Sequence, residues 1–179
     1  GGGAEVFSTS SHILALTRKT ARDSAATLTA YALGDDGMSE AWTTTVDLSQ
    51  GTLAQDRPQF LRWGDHHLIH GSTVIDLTTG GTSSGPWSAG EQPIVAQDVA
   101  ITCSANDNCT AWREGSDEQL WNISIENVSA LIGLDNNSQT VYRREGVRYV
   151  ILAFHSAVNL DTGELVSFDL PSLESYYLV

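Results

Sequence analysis

The run 65–70, Asp-His-His-Leu-Ile-His, holds three of the five histidines and is the stretch whose residue types most readily suggest chemistry. Successive side chains of a strand point to opposite faces, so His66 and His70 share one face and His67 lies on the other. Two imidazoles and a carboxylate from elsewhere would form a donor set for a transition metal. We favour the alternative, a turn at Gly64-Asp65 followed by a half-exposed strand. The sequence therefore predicts no metal site, and His66 and His70 are the candidate ligands if one exists.

The two cysteines, Cys103 and Cys109, flank the turn-forming sequence Ser-Ala-Asn-Asp-Asn. Two antiparallel strands leaving such a turn bring the cysteine Cβ atoms within disulfide reach. We expect a disulfide that closes a β-hairpin, which places the protein outside the cytoplasm. The alternative is a two-thiolate metal site, but a five-residue spacing matches no common zinc pattern. Hydrolytic chemistry has little support, because the Gly-x-Ser-x-Gly match at residues 81–85 lies in a loop rich in Gly and Ser and not in the strand-to-helix turn of a nucleophile elbow. No catalytic residue is assigned.

The elements that position these residues form a repeat, in which an apolar strand enters a turn rich in Gly, Asp and Thr and a second strand leaves it. The repeat occupies residues 28–42, 73–87, 110–121 and 157–166. Trp42, Trp87 and Trp121 are 45 and 34 residues apart, and a further step of 45 reaches Val166. A period of roughly 35–45 residues with several strands per unit is typical of propeller blades. Small sheets must stack to bury both faces, and a large aromatic fills each layer between them.

The predicted fold is all-β, a β-propeller-like array of about four four-stranded antiparallel blades. Its repeat units are approximately 4–47, 58–90, 92–126 and 129–171. Residues 172–179 are a closing strand or the start of a further unit. The chain is then a single propeller-like domain or a propeller fragment. A β-sandwich is the alternative fold.

Composition excludes several classes of partner. The chain has 179 residues, 41% of them hydrophobic, which is typical of a globular domain. Its formal net charge of −13 and its single lysine, Lys19, make nucleic acid and anionic membranes unfavourable partners. No apolar run approaches the roughly 20 residues of a membrane span, so direct membrane insertion is not expected.

The repeat residues resemble a known family. The turn Asn159-Leu-Asp-Thr-Gly-Glu-Leu, with the recurring Trp, is similar to the repeat of PQQ-like (quinoprotein-like) β-propellers. The quinoprotein enzymes use a vicinal Cys-Cys disulfide and a calcium triad, neither of which maps onto this chain, so no cofactor is predicted. The resemblance implies the non-catalytic branch, similar to outer-membrane assembly lipoproteins. Propellers of that family usually close with more than four blades, which raises the prospect of a homodimer of half-rings closing the ring.

The sequence predicts an extracytoplasmic, non-catalytic domain of a larger secreted or cell-envelope protein. Its expected role is to bind a protein or peptide, or to act as a scaffold or sensor. Aromatic and Arg side chains dominate interface energetics, so the candidate contacts are Trp63, Trp112, Arg143, Arg144 and Arg148. For Trp112, filling a blade core is the favoured alternative. Two other functions stay open: a metal-assisted hydrolase or lyase using His66 and His70, and a purely structural module.

Overall fold

The structure, a computed structural model, describes residues 4–9, 11–20, 22–50, 53–54, 57–104, 108–125, 141–153 and 156–167. In this part of the chain every regular element is a β-strand except one 3₁₀ turn, Leu48–Gln50. No helix within these ranges is long and apolar enough to cross a membrane.

Sixteen of the strands form four sheets, which we call blades one to four in chain order. Blade one consists of β1 (Ala4–Ser8), β2 (His12–Thr17), β3 (Ala25–Gly34) and β4 (Gly37–Asp47). A short pair, β5 (Leu53–Ala54) and β6 (Arg57–Pro58), follows it. Blade two consists of β7 (Leu61–Trp63), β8 (His67–His70), β9 (Thr73–Asp76) and β10 (Thr82–Ser84).

Blade three consists of β11 (Ile94–Ala96), β12 (Val99–Cys103), β13 (Asn108–Arg113) and β14 (Gln119–Ser124). Blade four consists of β15 (Val141–Arg144), β16 (Val147–Ala153), β17 (Ser156–Asn159) and β18 (Leu165–Ser167). Strands within each blade lie in sequence order and pair antiparallel, as short hairpin connections require. The predicted array of four four-stranded antiparallel blades is confirmed. The predicted tail, 172–179, lies outside the described residues.

Successive blades share apolar cores. One core joins blades one and two, a second joins blades two and three, and a third joins blades three and four. Among the described residues no such core joins blade four to blade one. Alternate residues of a strand point to opposite faces of its sheet. Blades one and four each contribute one apolar face to these cores, and blades two and three contribute both faces.

Trp42 shows how blade one packs on blade two. Its indole Nε1 donates a hydrogen bond of 2.8 Å to the carbonyl oxygen of Leu77, and its ring covers Gly80. A Cβ at Gly80 would lie 2.6 Å from the indole, so only glycine permits this contact. The backbone at Gly80 is also left-handed, with φ at 72°, which glycine tolerates best.

Trp121 repeats this arrangement between blades three and four. Its Nε1 donates 3.0 Å to the carbonyl oxygen of Leu160, and its ring covers Gly163, where φ is 75°. In register, Trp42 pairs with Ala30, Trp121 with Ala111 and Val166 with Ala157. Val166 therefore occupies the position of the tryptophan in blade four, as the 45-residue step predicts.

The turns that receive these indoles are built in the same way. The side-chain oxygen of Asp76 accepts the backbone N–H groups of Thr78 and Thr79, at 2.7 and 3.0 Å. Asn159 Oδ1 likewise accepts the N–H groups of Asp161 and Thr162. Such Asx turns satisfy the backbone locally and present the following glycine to the neighbouring blade.

The contact between blades two and three is different. Trp63, Trp87 and Trp112 form a buried cluster with ring centroids 5.8 and 5.9 Å apart in edge-to-face pairs. Trp87 follows β10 and donates its indole N–H to Gly71 within its own blade. The repeat therefore places Trp87 correctly in an inter-blade core, but its indole does not make the hydrogen bond that Trp42 and Trp121 make to the next blade.

The disulfide predicted from the sequence is present between Cys103 and Cys109, which face each other on β12 and β13. Cys109 is fully buried in the core shared by blades three and four. The bond therefore closes the turn end of this hairpin and anchors it in the core shared by blades three and four.

The indole–glycine contact predicts a large penalty for Gly80→Ala. Alanine there combines a left-handed backbone with a clash against Trp42, so we expect the free energy of unfolding to fall by about 2–4 kcal/mol. Gly90→Ala is the matched control, because Gly90 has φ at 89° but no atom near its Cβ position; we expect a loss of about 1–2 kcal/mol. Urea unfolding measures both, and equal losses would contradict the packing role of Gly80.

Removing the disulfide should lower stability modestly, because it closes a short loop. We expect the double variant Cys103→Ser, Cys109→Ala to lose about 2 kcal/mol in urea unfolding under oxidising conditions. Reduction of the wild-type chain with dithiothreitol is the control without a sequence change. Unchanged stability in both experiments would show that the bond contributes nothing to the fold.

Candidate functional site

One end of blades two to four carries most of the charged contacts between blades. Antiparallel order brings the turn after the first strand and the turn after the third strand of a blade to the same end. We call this end the turn face. It comprises residues 64–66 and 77–81 of blade two, 97–98 and 114–118 of blade three, and 145–146 and 160–164 of blade four.

Arg148 connects blades three and four on the turn face. Its guanidinium donates to Asp98 through Nη1 and to Asp161 through Nη2, at 2.5 Å, and Nε, at 3.1 Å. Arg113 contacts the same two carboxylates at 3.2 and 2.9 Å. The Arg148 side chain is only 13% exposed, and its positive charge is paired with the carboxylates of Asp98 and Asp161. Such charge-assisted hydrogen bonds are among the strong ones.

The network shifts the titration of its members. Hydrogen bonds from Arg148, followed by those from Arg113, lower the pKa of Asp161 from 3.8 to about 2, against the opposing effect of burial. The hydrogen bond to Asp161 raises the pKa of Arg148, with Asp98 adding to the effect. Both pKa shifts favour the charged forms of Arg148 and Asp161, so this pair is ionised at neutral pH.

Glu114 connects blade three to blade two in a similar way. Its carboxylate accepts the backbone N–H groups of Asp65 and His66 at 3.2 and 2.6 Å, and Nδ1–H of His67 at 3.0 Å. A Cβ at Gly64 would lie 1.8 Å from this carboxylate, so glycine is needed for the close approach. Glu114 therefore fixes the turn that opens β8.

The structure separates the two candidate metal ligands. His66 lies in the turn before β8 and is exposed, whereas His70 is fully buried. Nδ1 of His70 lies 2.9 Å from the carbonyl oxygen of Gln59, which can only accept, so this nitrogen carries the hydrogen. No three His, Cys, Asp or Glu side chains of the described ranges are grouped as a metal site.

The candidate contact residues fall into three environments. Trp63 and Trp112 are 2% and 4% exposed within the core of blades two and three. Trp63 is therefore corrected from a surface contact to a core residue, whereas Trp112 fills a core, as the favoured alternative predicts. Arg148 is held in the ion network. Arg143 and Arg144 are both exposed, but as neighbours on β15 they point to opposite faces of blade four.

A groove of about 630 Å³ runs across the turn face between blades two and four. It is lined by Arg62, Gly64, Asp65, Gln97, Asp98, Glu114, Val141 and Arg143. Arg62 from blade two and Arg143 from blade four bring guanidinium groups from its two sides. Arg62 also donates to Asp65 at 2.6 Å, while Arg143 reaches Gln97 Oε1 only at 3.4 Å.

Gln97 is the central residue of the groove. Its backbone is left-handed, with φ at 59°, an uncommon conformation for a residue with a side chain. Its carbonyl oxygen accepts the N–H of Gly64 at 2.8 Å, and its side-chain oxygen lies 3.4 Å from both Arg143 and Arg148. Gln97 thereby contacts all three blades.

The groove lining can bind polar groups, and it lacks the usual groups for nucleophilic catalysis. No Ser, Thr, Cys, His, Lys or Tyr is among the described residues that line it. The carboxylates of Asp98 and Glu114 are already bonded to other side chains or backbone groups. Of the two guanidinium groups, that of Arg62 donates to Gly64 and Asp65, whereas that of Arg143 lies 3.4 Å from Gln97. A guanidinium group suits a carboxylate or a carbonyl oxygen.

Sequence reasoning did not identify Arg62, Gln97, Asp98 or Glu114. The available signal was the two-residue polar turn Gln97-Asp98 between the apolar strands β11 and β12. That signal predicts a turn, but not that the turn of one blade would meet Arg side chains from two others.

Comparison with known proteins gives only a likeness of fold. No family model matches the chain, and no curated protein matches it. Among solved structures, it is similar to the crystal structure of BamB from Moraxella catarrhalis, with 18% identity and a TM-score of 0.43. The match covers 91% of this chain and 50% of that one, so the chain spans about half the length of that protein. The propeller-like arrangement rests on the four sheets themselves, and membership of the PQQ-like family and its non-catalytic branch stays a prediction.

The lowered pKa of Asp161 predicts a pH-dependent contribution to stability. This contribution is present above about pH 4 and is lost as pH falls towards the folded pKa of about 2. Asp161→Asn should therefore be less stable than wild type at pH 6, and the difference should shrink between pH 4 and pH 2. Urea midpoints across this range measure it.

Asp117→Asn, at an exposed position of another turn, is the control, because it removes a carboxylate that lies outside the ion network. A difference between Asp161→Asn and wild type that does not change with pH would contradict the ion-network role.

Proposed function

We propose that the chain is a non-catalytic protein- or peptide-binding scaffold module that works outside the cytoplasm. The observation that carries the proposal is the groove on the turn face, with guanidinium groups from blades two and four on its sides and Gln97 of blade three between them. The bound segment would be extended and polar, with at least one carboxylate for Arg143 or Arg62.

Rigidity of the groove supports a binding role. The ion network fixes blade four against blade three, and Glu114 fixes the first turn of blade two against blade three. The Arg and Gln side chains are thus held on three mutually fixed sheets, and a preformed site loses less conformational entropy on binding.

The location outside the cytoplasm is supported by the disulfide between Cys103 and Cys109. Disulfides persist in oxidising compartments and are rare in the cytosol. The acidic surface implied by the net charge of −13 would also repel acidic partners at long range, so selectivity for a carboxylate must come from the local arginines.

A second groove, of about 650 Å³, lies beside the loop between β2 and β3, and its lining includes Arg18, Lys19 and Asp23. All of its lining residues belong to blade one, so this groove is not assembled from several blades. We therefore assign the binding role to the groove of the turn face.

Selection from a phage-displayed peptide library on the wild-type chain tests the proposal. Enriched peptides should contain Asp or Glu, and Arg143→Ala or Arg62→Ala should weaken their binding by about tenfold or more, as removal of a charged hydrogen-bond partner does. Fluorescence polarisation with the labelled peptides measures the affinities.

Arg144→Ala is the matched control, because it removes the same charge from the adjacent, opposite-facing position. It should leave affinity within about twofold, a change too small to mark a direct contact. Failure to enrich any peptide, or equal affinities for all three variants and wild type, would overturn the proposal.

A further inference from the structure

The outward side of blade four is an apolar sheet face that no described part of the chain covers. Alternation and register place Val147, Tyr149 and Ile151 of β16 on this side, with Ala157 of β17 and Val166 of β18. Tyr142 and Arg144 of β15 share it, as does Asn159 of β17, whose side chain is bonded within the Asx turn at the end of the sheet. We call the seven residues other than Asn159 the blade-four face. Tyr142 and Val166 are 53% and 40% exposed.

The same residue row is buried in two other blades. Leu14, Ala30 and Trp42 lie side by side across blade one and pack on blade two. Ile101, Ala111 and Trp121 lie side by side across blade three and pack on blade four. The corresponding row on the blade-four face is Ile151, Ala157 and Val166. By its composition and register, the blade-four face is therefore a packing surface.

Because blade four has Val166 where blades one and three have tryptophan, the blade-four face is complementary to a different kind of partner surface. The indoles of Trp42 and Trp121 project and each needs a turn with an accepting carbonyl and a close glycine. Val166 projects less and has no polar atom, so the blade-four face is flatter and requires no such turn. A flat apolar sheet face is complemented by another one at the usual sheet-to-sheet spacing of about 10 Å.

The opposite end of the array is a poorer complement. On the outward side of blade one, Val6, Ile13, Ala15 and Tyr31 lie beside a threonine array that runs from the end of β2 across β3 and β4, Thr17, Thr27, Thr29, Thr43 and Thr45. Thr43 donates to Thr29 Oγ1 at 3.1 Å, and all of these threonines but Thr29 are exposed. Polar outer faces of this kind cap repeat arrays. Closure of two half-rings through blade four on blade one would bury these hydroxyls against apolar side chains.

Charge also favours contact between two blade-four faces. The chain has 22 acidic residues, but none of the seven side chains of the blade-four face is acidic. Self-repulsion from the net charge is therefore weakest here. At the rim, Arg144 and Glu145 are both exposed, and a two-fold axis can bring Arg144 of one copy beside Glu145 of the other.

We propose that the blade-four face binds the blade-four face of a second copy of this chain, forming a two-fold dimer. The contact is isologous, so it closes at two copies and leaves both capped blade-one ends in solvent. It differs from the ring-closing homodimer expected from the sequence, in which unlike ends would meet. The groove of the turn face is not part of this interface, and the two proposals stand independently.

Light scattering coupled to size exclusion, over concentrations from about 1 µM to about 1 mM, tests the dimer, because small interfaces dissociate in this range. The wild-type mass should rise with concentration from the monomer value of 19.2 kDa towards twice that value. It should do so in about 1 M NaCl as well, since screening does not weaken an apolar contact.

Val166→Arg and Tyr142→Arg should both keep the mass at 19.2 kDa throughout. Both positions are exposed in the chain, and circular dichroism checks that the variants fold. Val6→Arg is the matched control: it makes the same change at a position 69% exposed on the outward side of blade one, and it should dimerise like wild type.

Three results would overturn the proposal. A wild-type mass that stays at the monomer value would show that a copy is not the occupant and that a different sheet takes this face. Association that Val166→Arg and Tyr142→Arg leave intact would place the interface elsewhere. Loss of the dimer in Val6→Arg would instead favour contact between blade four of one copy and blade one of the other.

Discussion

Every blade depends on its neighbour, because a four-stranded sheet has two faces and too few residues to bury either alone. The contact that satisfies this need between blades one and two and between blades three and four is an indole packed on a glycine, with its N–H bonded to the carbonyl three residues earlier. Indole area provides the burial, and the hydrogen bond fixes the angle. Threonine and aspartate in the receiving turns follow from this constraint, since they hold the glycine in its left-handed conformation.

Charged contacts on the turn face act on blades that are already packed. At the end of the sheets where the turns lie, Arg148 joins blade four to blade three through Asp98 and Gln97, and Glu114 joins blade three to blade two through the turn that opens β8. Exposed ion pairs contribute little to stability, whereas a half-buried bridge such as that of Arg148 fixes relative orientation. The shape of the groove between Arg62 and Arg143 depends on both the apolar packing between blades and these charged contacts.

Much of the fold could be predicted from local patterns. The alternation of apolar residues, the Gly-rich turns and the step from Trp42 to Trp121 define strand order, because neighbouring strands in sequence are neighbours in each sheet. The site could not be predicted in the same way. Gln97 and Glu114 act on residues about 50 positions away, and no spacing in the sequence encodes that distance. The prediction for Trp63 was wrong for a related reason: tryptophan suits both interfaces and cores, and only tertiary packing decides between them.

The ends of the array are not equivalent, and this asymmetry follows from the same repeat. Blade one presents threonines where an inner blade would present an apolar row, whereas blade four retains the apolar row but has Val166 in place of the indole. A threonine keeps strand propensity through its branched Cβ while its hydroxyl stays hydrated, so a sheet can end there without exposing a core. Val166 keeps strand propensity as well but leaves an apolar surface in water. Packing of a further sheet is therefore more favourable on the outward side of blade four, where it would bury apolar side chains, than on the threonines of blade one, where it would bury hydroxyl groups.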